Sequence, residues 1–411
     1  MDKKLKFVIV GHIDHGKSTL IGRLLFDTNS LPEDAMAEIK KAGEMLGRKV
    51  EFAHIMDHLS EEREKGITID TCQTFFKNKD KEYVIIDAPG HKEFLKNMIT
   101  GASQAEAAIL MLDVNEGIME QTKRHAYILN LLGIKQVVVA MNKMDLVNYS
   151  EERFEKVKNE FSVFLDSINV KPSYFIPMAA FNGENIVKRS ENIKFYNGPT
   201  ILEALDSFKK KTEKDEKPLL FPVQDVYDIE GKKIIVGRIE SGKISKGESV
   251  FILPVRKETV VKTIEKFLET PESAVAGESI GITIDSDFEI KRGIVISGKE
   301  HIPEIKKEFK ANVFWLAPYE LKKGETVIIQ IATQEVPCVI EKIEKRINSS
   351  TLEILEEDSE KLGETEVAKV TLKTKEPVVI ENFNEVEEFG RFVIIKNQDI
   401  SGGGIIIELG N

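Results

Sequence analysis

Cysteine is almost missing from this chain of 411 residues, which holds only Cys72 and Cys338. The two lie far apart and outside any C-x-x-C or Cys/His cluster, so a zinc site of that kind is excluded and both read as small buried hydrophobes. Long apolar runs are missing too. None approaches the roughly 18 residues that a membrane-spanning helix needs. Met1-Asp2-Lys3-Lys4-Leu5-Lys6 passes into a strand-like run with no signal peptide, which points to a soluble, cytoplasmic protein with no membrane partner. Positive charge is in short supply. With 58 Lys plus Arg against 69 Asp plus Glu, the net charge of -11 opposes a nonspecific hold on phosphate backbones and tilts against nucleic acid as a partner. Heptads, solenoid repeats and low-complexity tracts are likewise not found.

What is present is a globular composition, 41% hydrophobic and 31% charged. The length exceeds one ordinary core of about 100 to 200 residues, so several domains are expected. From Phe7 to about Ser207, short apolar strands (residues 7–10, 83–86, 107–112, 137–141 and 174–177) alternate with helical stretches. That alternation implies a mostly parallel sheet covered on both faces. Residues 208–217 then carry almost no apolar content before Pro218 and read as a linker. Beyond them Gly-punctuated alternating runs dominate, among them 234–239, 249–253, 327–331, 336–343 and 391–395, and argue for two small antiparallel barrels divided near residues 298–303.

The sharpest motif is Gly11-His12-Ile13-Asp14-His15-Gly16-Lys17-Ser18, which follows an apolar strand and precedes a helix over 19–25. The glycines let backbone N–H groups wrap phosphates, the helix presents its positive end, Lys17 neutralises the outer phosphates and Ser18 can ligate magnesium. Gly11, His12, Asp14, His15, Gly16, Lys17, Ser18 and Thr19 are therefore the candidate phosphate-binding residues. Asp87-Ala88-Pro89-Gly90 ends a second strand. Its carboxylate would face magnesium through a water, and Gly90 can offer its N–H to the third phosphate. Asn142-Lys143-Met144-Asp145 follows a third strand. Asp145 can accept from the ring N–H and exocyclic amine of guanine, which adenine does not offer in that arrangement, so the motif selects GTP. Thr68 can add its hydroxyl to magnesium while the third phosphate is present, and His91 can orient the attacking water. The fold expected is an α/β P-loop GTPase domain with a mostly parallel sheet, residues 1–212, followed by two antiparallel β-barrel domains, 213–300 and 301–411.

Two features are set aside. Ser401-Gly402-Gly403-Gly404 has no helix after it and reads as a strand-edge turn. His12 and His15 are spaced like metal ligands but lie inside the phosphate loop, and magnesium prefers oxygen, so neither is assigned to the metal.

Together with 61–70 (Glu-Glu-Arg-Glu-Lys-Gly-Ile-Thr-Ile-Asp) and 97–103 (Asn-Met-Ile-Thr-Gly-Ala-Ser), these motifs resemble translational GTPases of the elongation factor type along nearly the whole chain. The resemblance implies that Asn142, Lys143 and Asp145, with the turn residues Ala179 and Ala180, hold the base. It also implies that Ser18, Thr68 and Asp87, the last through water, hold Mg2+, and that His91 positions the water. Ala179 stands where the family has a serine, which implies some loss of turn rigidity, and no second phosphate loop of a fused kinase is found. Ser190-Glu191-Asn192 and Tyr196-Asn197-Gly198-Pro199-Thr200 favour one branch of the superfamily, the GTPase subunit of bacterial heterodimeric ATP sulfurylase. So do the third-domain stretches Val313-Phe314-Trp315-Leu316, Lys322-Lys323-Gly324, Ala332-Thr333-Gln334 and 346–353. That branch implies GTP hydrolysis coupled to formation of adenosine 5'-phosphosulfate from ATP and sulfate. Its partner would be a smaller ATP-pyrophosphatase-type sulfurylase subunit in a heterodimer or higher assembly. The alternative is an elongation-factor-type GTPase delivering aminoacyl-tRNA to the ribosome, the reading under which nucleic acid becomes a partner.

Overall fold

The computed structural model describes residues 4–31, 73–79, 81–87, 105–208, 213–266, 269–285, 288–383 and 385–409. The chain divides into two compact units, Met1–Lys210 and Lys211–Asn411. No described helix is long and apolar enough to cross a membrane.

In the first unit six strands form one sheet in the order β2-β3-β1-β4-β5-β6. They are β1 (Lys4–Gly11), β2 (Gln73–Asn78), β3 (Lys81–Asp87), β4 (Ala107–Asp113), β5 (Gln136–Asn142) and β6 (Tyr174–Pro177). All neighbours pair in parallel except the β2–β3 hairpin. The central strand β4 reads Ala-Ala-Ile-Leu-Met-Leu-Asp and is buried along its whole length, as expected of a parallel strand covered on both faces. Among the described residues of this unit the α-helices are α1 (Lys17–Asp27), α2 (Glu120–Leu131), α3 (Glu151–Ser167) and α4 (Ile201–Ser207). A capping box starts α4, with Thr200 accepting from the Glu203 N–H and the Glu203 carboxylate accepting from the Thr200 N–H. Strand order reverses at β1, which lies between β3 and β4, so the crevice at the carboxyl ends of these strands opens where the phosphate loop leaves β1. Phe7 anchors the core beneath it, fully buried with its ring edge-on to Phe76 and Tyr83 at 6.2 and 6.5 Å.

In the second unit Leu220–Ile229, Lys232–Arg238, Ser249–Leu253, Lys257–Glu265, Ser279–Ile284 and Val295–Gly298 close into an antiparallel barrel. Seven further strands form an antiparallel sheet whose members Thr326–Ile331 and Gln334–Asn348 also pair, so the sheet rolls back on itself. Each has its own apolar core, around Phe221, Ile252 and Ile296 in the first and Trp315, Ile340 and Leu372 in the second. A smaller cluster of Leu220, Leu253 and Val295 with Val379, Val386 and Phe389 joins them. Cys338 is buried in the second core, where burial pushes its thiol up to about 12, so it behaves as an inert hydrophobe; Cys72 lies outside the described residues.

Ser401–Gly404 departs from the turn expected of it. These residues lie inside the strand Asp399–Glu408; Gly402, Gly403 and Gly404 pair on both sides, and Ser401 sits at a break in the register. A Cβ on Gly402 would stand 2.9 Å from the Trp315 ring, and one on Gly404 would stand 2.6 Å from the Phe392 ring. The glycines leave room for two aromatic rings laid across the strand.

Phe7→Ala removes a ring from the centre of the first core and is expected to lower the unfolding free energy of that unit by about 3–5 kcal/mol. Urea unfolding followed by a probe in that unit measures this. A loss under about 1 kcal/mol would show that the core closes over the gap.

Candidate nucleotide-binding site

The phosphate loop runs from Gly11 through a single 3-10 turn, Ile13–His15, to Gly16, which is the N-cap of α1. Gly16 has φ +90°, and a Cβ there would stand 2.6 Å from Asn142 Nδ2, so only glycine fits. A Cβ on Gly11 would stand 2.6 Å from the Met111 carbonyl oxygen on the neighbouring strand. No side chain caps α1, and its first internal bond runs from the Leu20 N–H to the Gly16 carbonyl at 2.9 Å. The first-turn N–H groups thus project from the helix end, where the helix dipole favours an anion. Lys17 Nζ donates to the Gly11 and His12 carbonyls at 2.8 Å each, which holds the ammonium over the loop. The Ser18 side chain is exposed at the same end and offers a hydroxyl oxygen of the kind magnesium takes; Asp14 and Thr19 lie alongside, exposed and half-buried. His15 differs from its neighbours. It is fully buried, its Nδ1 donates to the Met111 carbonyl at 3.1 Å, and burial above all holds its pKa below the ordinary histidine value.

The base-side residues come from the end of β5. Asn142 is 3% exposed; its Nδ2 donates to the His15 carbonyl at 2.8 Å and its Oδ1 accepts from the Ala180 N–H at 2.9 Å. One carboxamide therefore ties the phosphate loop to the loop after β6. Lys143 takes a left-handed backbone, φ 64° and ψ 36°, and its Nζ lies 2.7 Å from Asp113 Oδ2. Asp145 follows in a 3-10 turn, Met144–Val147, half-buried, and its carboxylate makes no hydrogen bond or ion pair among the described residues. The loop with Ala179 in place of the family serine is closed by the backbone: the Ala179 N–H donates to the Glu184 carbonyl at 3.3 Å and the Glu184 N–H returns the bond at 3.1 Å. Asn185 Nδ2 adds a bond to the Pro177 carbonyl at 2.8 Å. The N–H groups of both Ala179 and Ala180 thus have partners within the protein.

The structure brings the phosphate loop, Asn142, Lys143 and Asp145 together at the carboxyl ends of β1 and β5. Asp87 ends β3, the strand beside β1. Thr68, Gly90 and His91 lie outside the described residues. Three residues that sequence reading passed over belong to the frame of the site. Asp113, 1% exposed at the end of β4, pairs with Lys143 and caps the following turn by accepting from the Asn115 and Glu116 N–H groups at 2.8 and 3.3 Å. Arg153 on α3 holds the same turn through the Val114 and Asn115 carbonyls at 2.9 and 3.0 Å. Glu116 approaches His15. The signal available for Asp113 was its place, a carboxylate ending an apolar parallel strand as Asp87 does.

A mostly parallel sheet with a phosphate loop at its reversal point, a free carboxylate after Asn-Lys-Met, and two antiparallel barrels downstream define a P-loop GTPase with β-barrel domains. Residues 2–211 match the family model described as elongation factor Tu GTP binding domain, 232–297 that described as elongation factor Tu domain 2, and 308–407 that described as GTP-eEF1A C-terminal domain-like. The chain is 40% identical over 420 aligned residues to elongation factor 1-alpha of Pyrococcus furiosus, covering 98% of this chain and 97% of that protein. It is 39% identical to the protein of the same name from Methanothermobacter thermautotrophicus, with the same two coverages, and 40% to that of Methanocaldococcus jannaschii, covering 95% and 94%. The chain belongs to the elongation factor 1-alpha family of GTPases. A solved structure of sup35 complexed with GDP aligns along the whole chain at 23% identity with a TM-score of 0.47, a likeness too slight to add to the assignment.

These relatives overturn the sulfurylase reading, and with it the coupling to adenosine 5'-phosphosulfate formation and the ATP-pyrophosphatase-type partner subunit. Side chains of the third-domain stretches that favoured it serve the packing and turns of their own sheet. Trp315 is fully buried and its Nε1 donates to the Tyr319 carbonyl; Ala332 supplies the left-handed position of a hairpin; Arg346 lies between Glu356 and Glu366 at 3.4 and 3.7 Å. Asn348 Oδ1 closes the turn after Arg346 by accepting from the Ser350 and Thr351 N–H groups, and Ser349 Oγ donates to the Thr365 carbonyl.

Asn142→Ala leaves the His15 carbonyl and Ala180 N–H buried without partners, a penalty of about 1–3 kcal/mol each. GDP affinity is expected to fall about 30-fold, equivalent to roughly 2 kcal/mol, in a fluorescent-GDP titration with folding checked by circular dichroism. A change below about threefold would show that the two loops hold their places without the amide.

Proposed function

We propose that this protein is a translation elongation GTPase, which binds aminoacyl-tRNA in its GTP state, delivers it to the ribosome and lets go on hydrolysis. The observation that carries the reading is the extent of the likeness: identity to elongation factor 1-alpha runs over 98% of the chain, both barrels included, and not over the nucleotide domain alone. The net charge of -11 tilts against this only if the basic residues are spread evenly, since a local basic face is enough to track a phosphate backbone.

In this reading the end of α1 and the loop N–H groups hold the phosphates, and Lys17 turns from the loop carbonyls to the phosphate oxygens. Asp145 accepts from the guanine N–H groups. Ser18, Thr68 and Asp87 would hold Mg2+, Asp87 by way of a water, and the ion would supply charge neutralisation on the outer phosphates. Gly90 senses the third phosphate. His91 orients the water, and because phosphoryl transfer needs alignment more than basicity, its position matters more than its proton affinity.

The GTP-loaded protein is expected to slow spontaneous hydrolysis of an aminoacyl-tRNA ester, and the GDP-loaded protein to leave it unchanged. Equal rates in both states would remove the translation reading. Under ribosome stimulation, His91→Ala should keep GTP binding and lose about 10²-fold in single-turnover hydrolysis. A loss below about threefold would make His91 a turn residue.

A further inference from the structure

Beside the nucleotide-reading groups, three metal-ligating side chains converge. His12, His15 and Glu116 each place one ligand atom within 4.8 Å of the other two. The His15 ring is fully buried, yet its Nε2 has no hydrogen-bond partner among the described residues. The Met111 carbonyl can only accept, so the Nδ1 beside it carries the proton and Nε2 presents a lone pair. That lone pair faces Glu116 Oε2 at 3.5 Å, and an ionised carboxylate is also only an acceptor. Two acceptors at this distance leave a buried polar atom unsatisfied, which a cation between them would resolve. The His12 ring lies alongside, 5.2 Å from the His15 ring between centroids. An imidazole whose second nitrogen donates to a backbone carbonyl is also the usual outer-shell arrangement of a metal-binding histidine.

We propose that His12, His15 and Glu116 bind one divalent transition ion of the zinc class, a site separate from the magnesium position at Ser18. Two imidazoles and one carboxylate suit Zn2+ or Co2+, whereas Mg2+ takes oxygen ligands almost throughout. Three protein ligands leave a fourth position for water. The ion would pin the 3-10 turn of the phosphate loop to the turn after β4, which Asp113 and Arg153 already hold, and so stiffen the loop from behind. The inference does not depend on the translation reading.

The test is a calorimetric titration of Zn2+ into the full-length, chelator-stripped protein in Mg2+-containing buffer, repeated by absorption with Co2+. Wild type is expected to show one saturable site and the intense visible bands of low-coordinate Co2+. Glu116→Gln, at a partly exposed position that folding tolerates, should weaken Zn2+ by about 30-fold or more and abolish those bands. His12→Gln, whose side-chain oxygen can still accept from the Asp14 N–H that His12 Nδ1 caps, should do the same. The chain has seven histidines, so an ion held elsewhere would be indifferent to both changes. That indifference, sensitivity to one variant alone, or no saturable binding overturns the proposal.

Discussion

The carboxamide of Asn142 donates to the His15 carbonyl and accepts from the Ala180 N–H, and the placement of the phosphate loop against the base-side loop follows from those two bonds. Few side chains can do this. A carboxylate would accept at both ends and repel the His15 carbonyl, and a hydroxyl would not span the gap. The joint is nearly solvent-free, so each bond is strong and each loss costly. It also explains why Gly16 tolerates no substituent: the amide nitrogen occupies the space a Cβ would need.

Around this joint the polar groups fall into two sets. One set is fully engaged in building the frame: Asp113 with Lys143 and its turn, Arg153 with the Val114 and Asn115 carbonyls, Asn185 with Pro177. The other set is left open, namely the uncapped end of α1, the exposed Ser18 and the Asp145 carboxylate. Under the proposed function the open set would serve a nucleotide in order, from phosphates and metal to base. The frame is held by the chain's own side chains and backbone, and groups that the protein itself orders cost a ligand little to order.

Much of this was legible in sequence because the chemistry sits at strand ends. Apolar runs closed by Gly11, Asp87 and Asn142 located β1, β3 and β5 to within a few residues, and a loop of Gly-x-x-x-x-Gly-Lys-Ser form has few other uses. The structural work of Asn142 was not legible, since its motif suggests a contact with base and says nothing of the His15 carbonyl far upstream. Asp113 carried no motif at all. The glycines at 402–404 looked like a turn because a strand's need for empty space shows only when Trp315 and Phe392 are seen packed across it. The choice between branches failed for a related reason: residues such as Trp315 and Arg346 serve the barrel, and barrels with different partners share those needs.

The central claim is that Asn142 holds the base-side loop in place before nucleotide binds. Amide hydrogen exchange at Ala180 in the nucleotide-free protein tests it most directly, since that N–H is the one Asn142 accepts from. The account predicts slow exchange in the free protein, little further slowing with GDP, and fast exchange once the Asn142 amide is gone. Exchange at the open-loop rate in the free protein, with protection arising only when GDP binds, would contradict it.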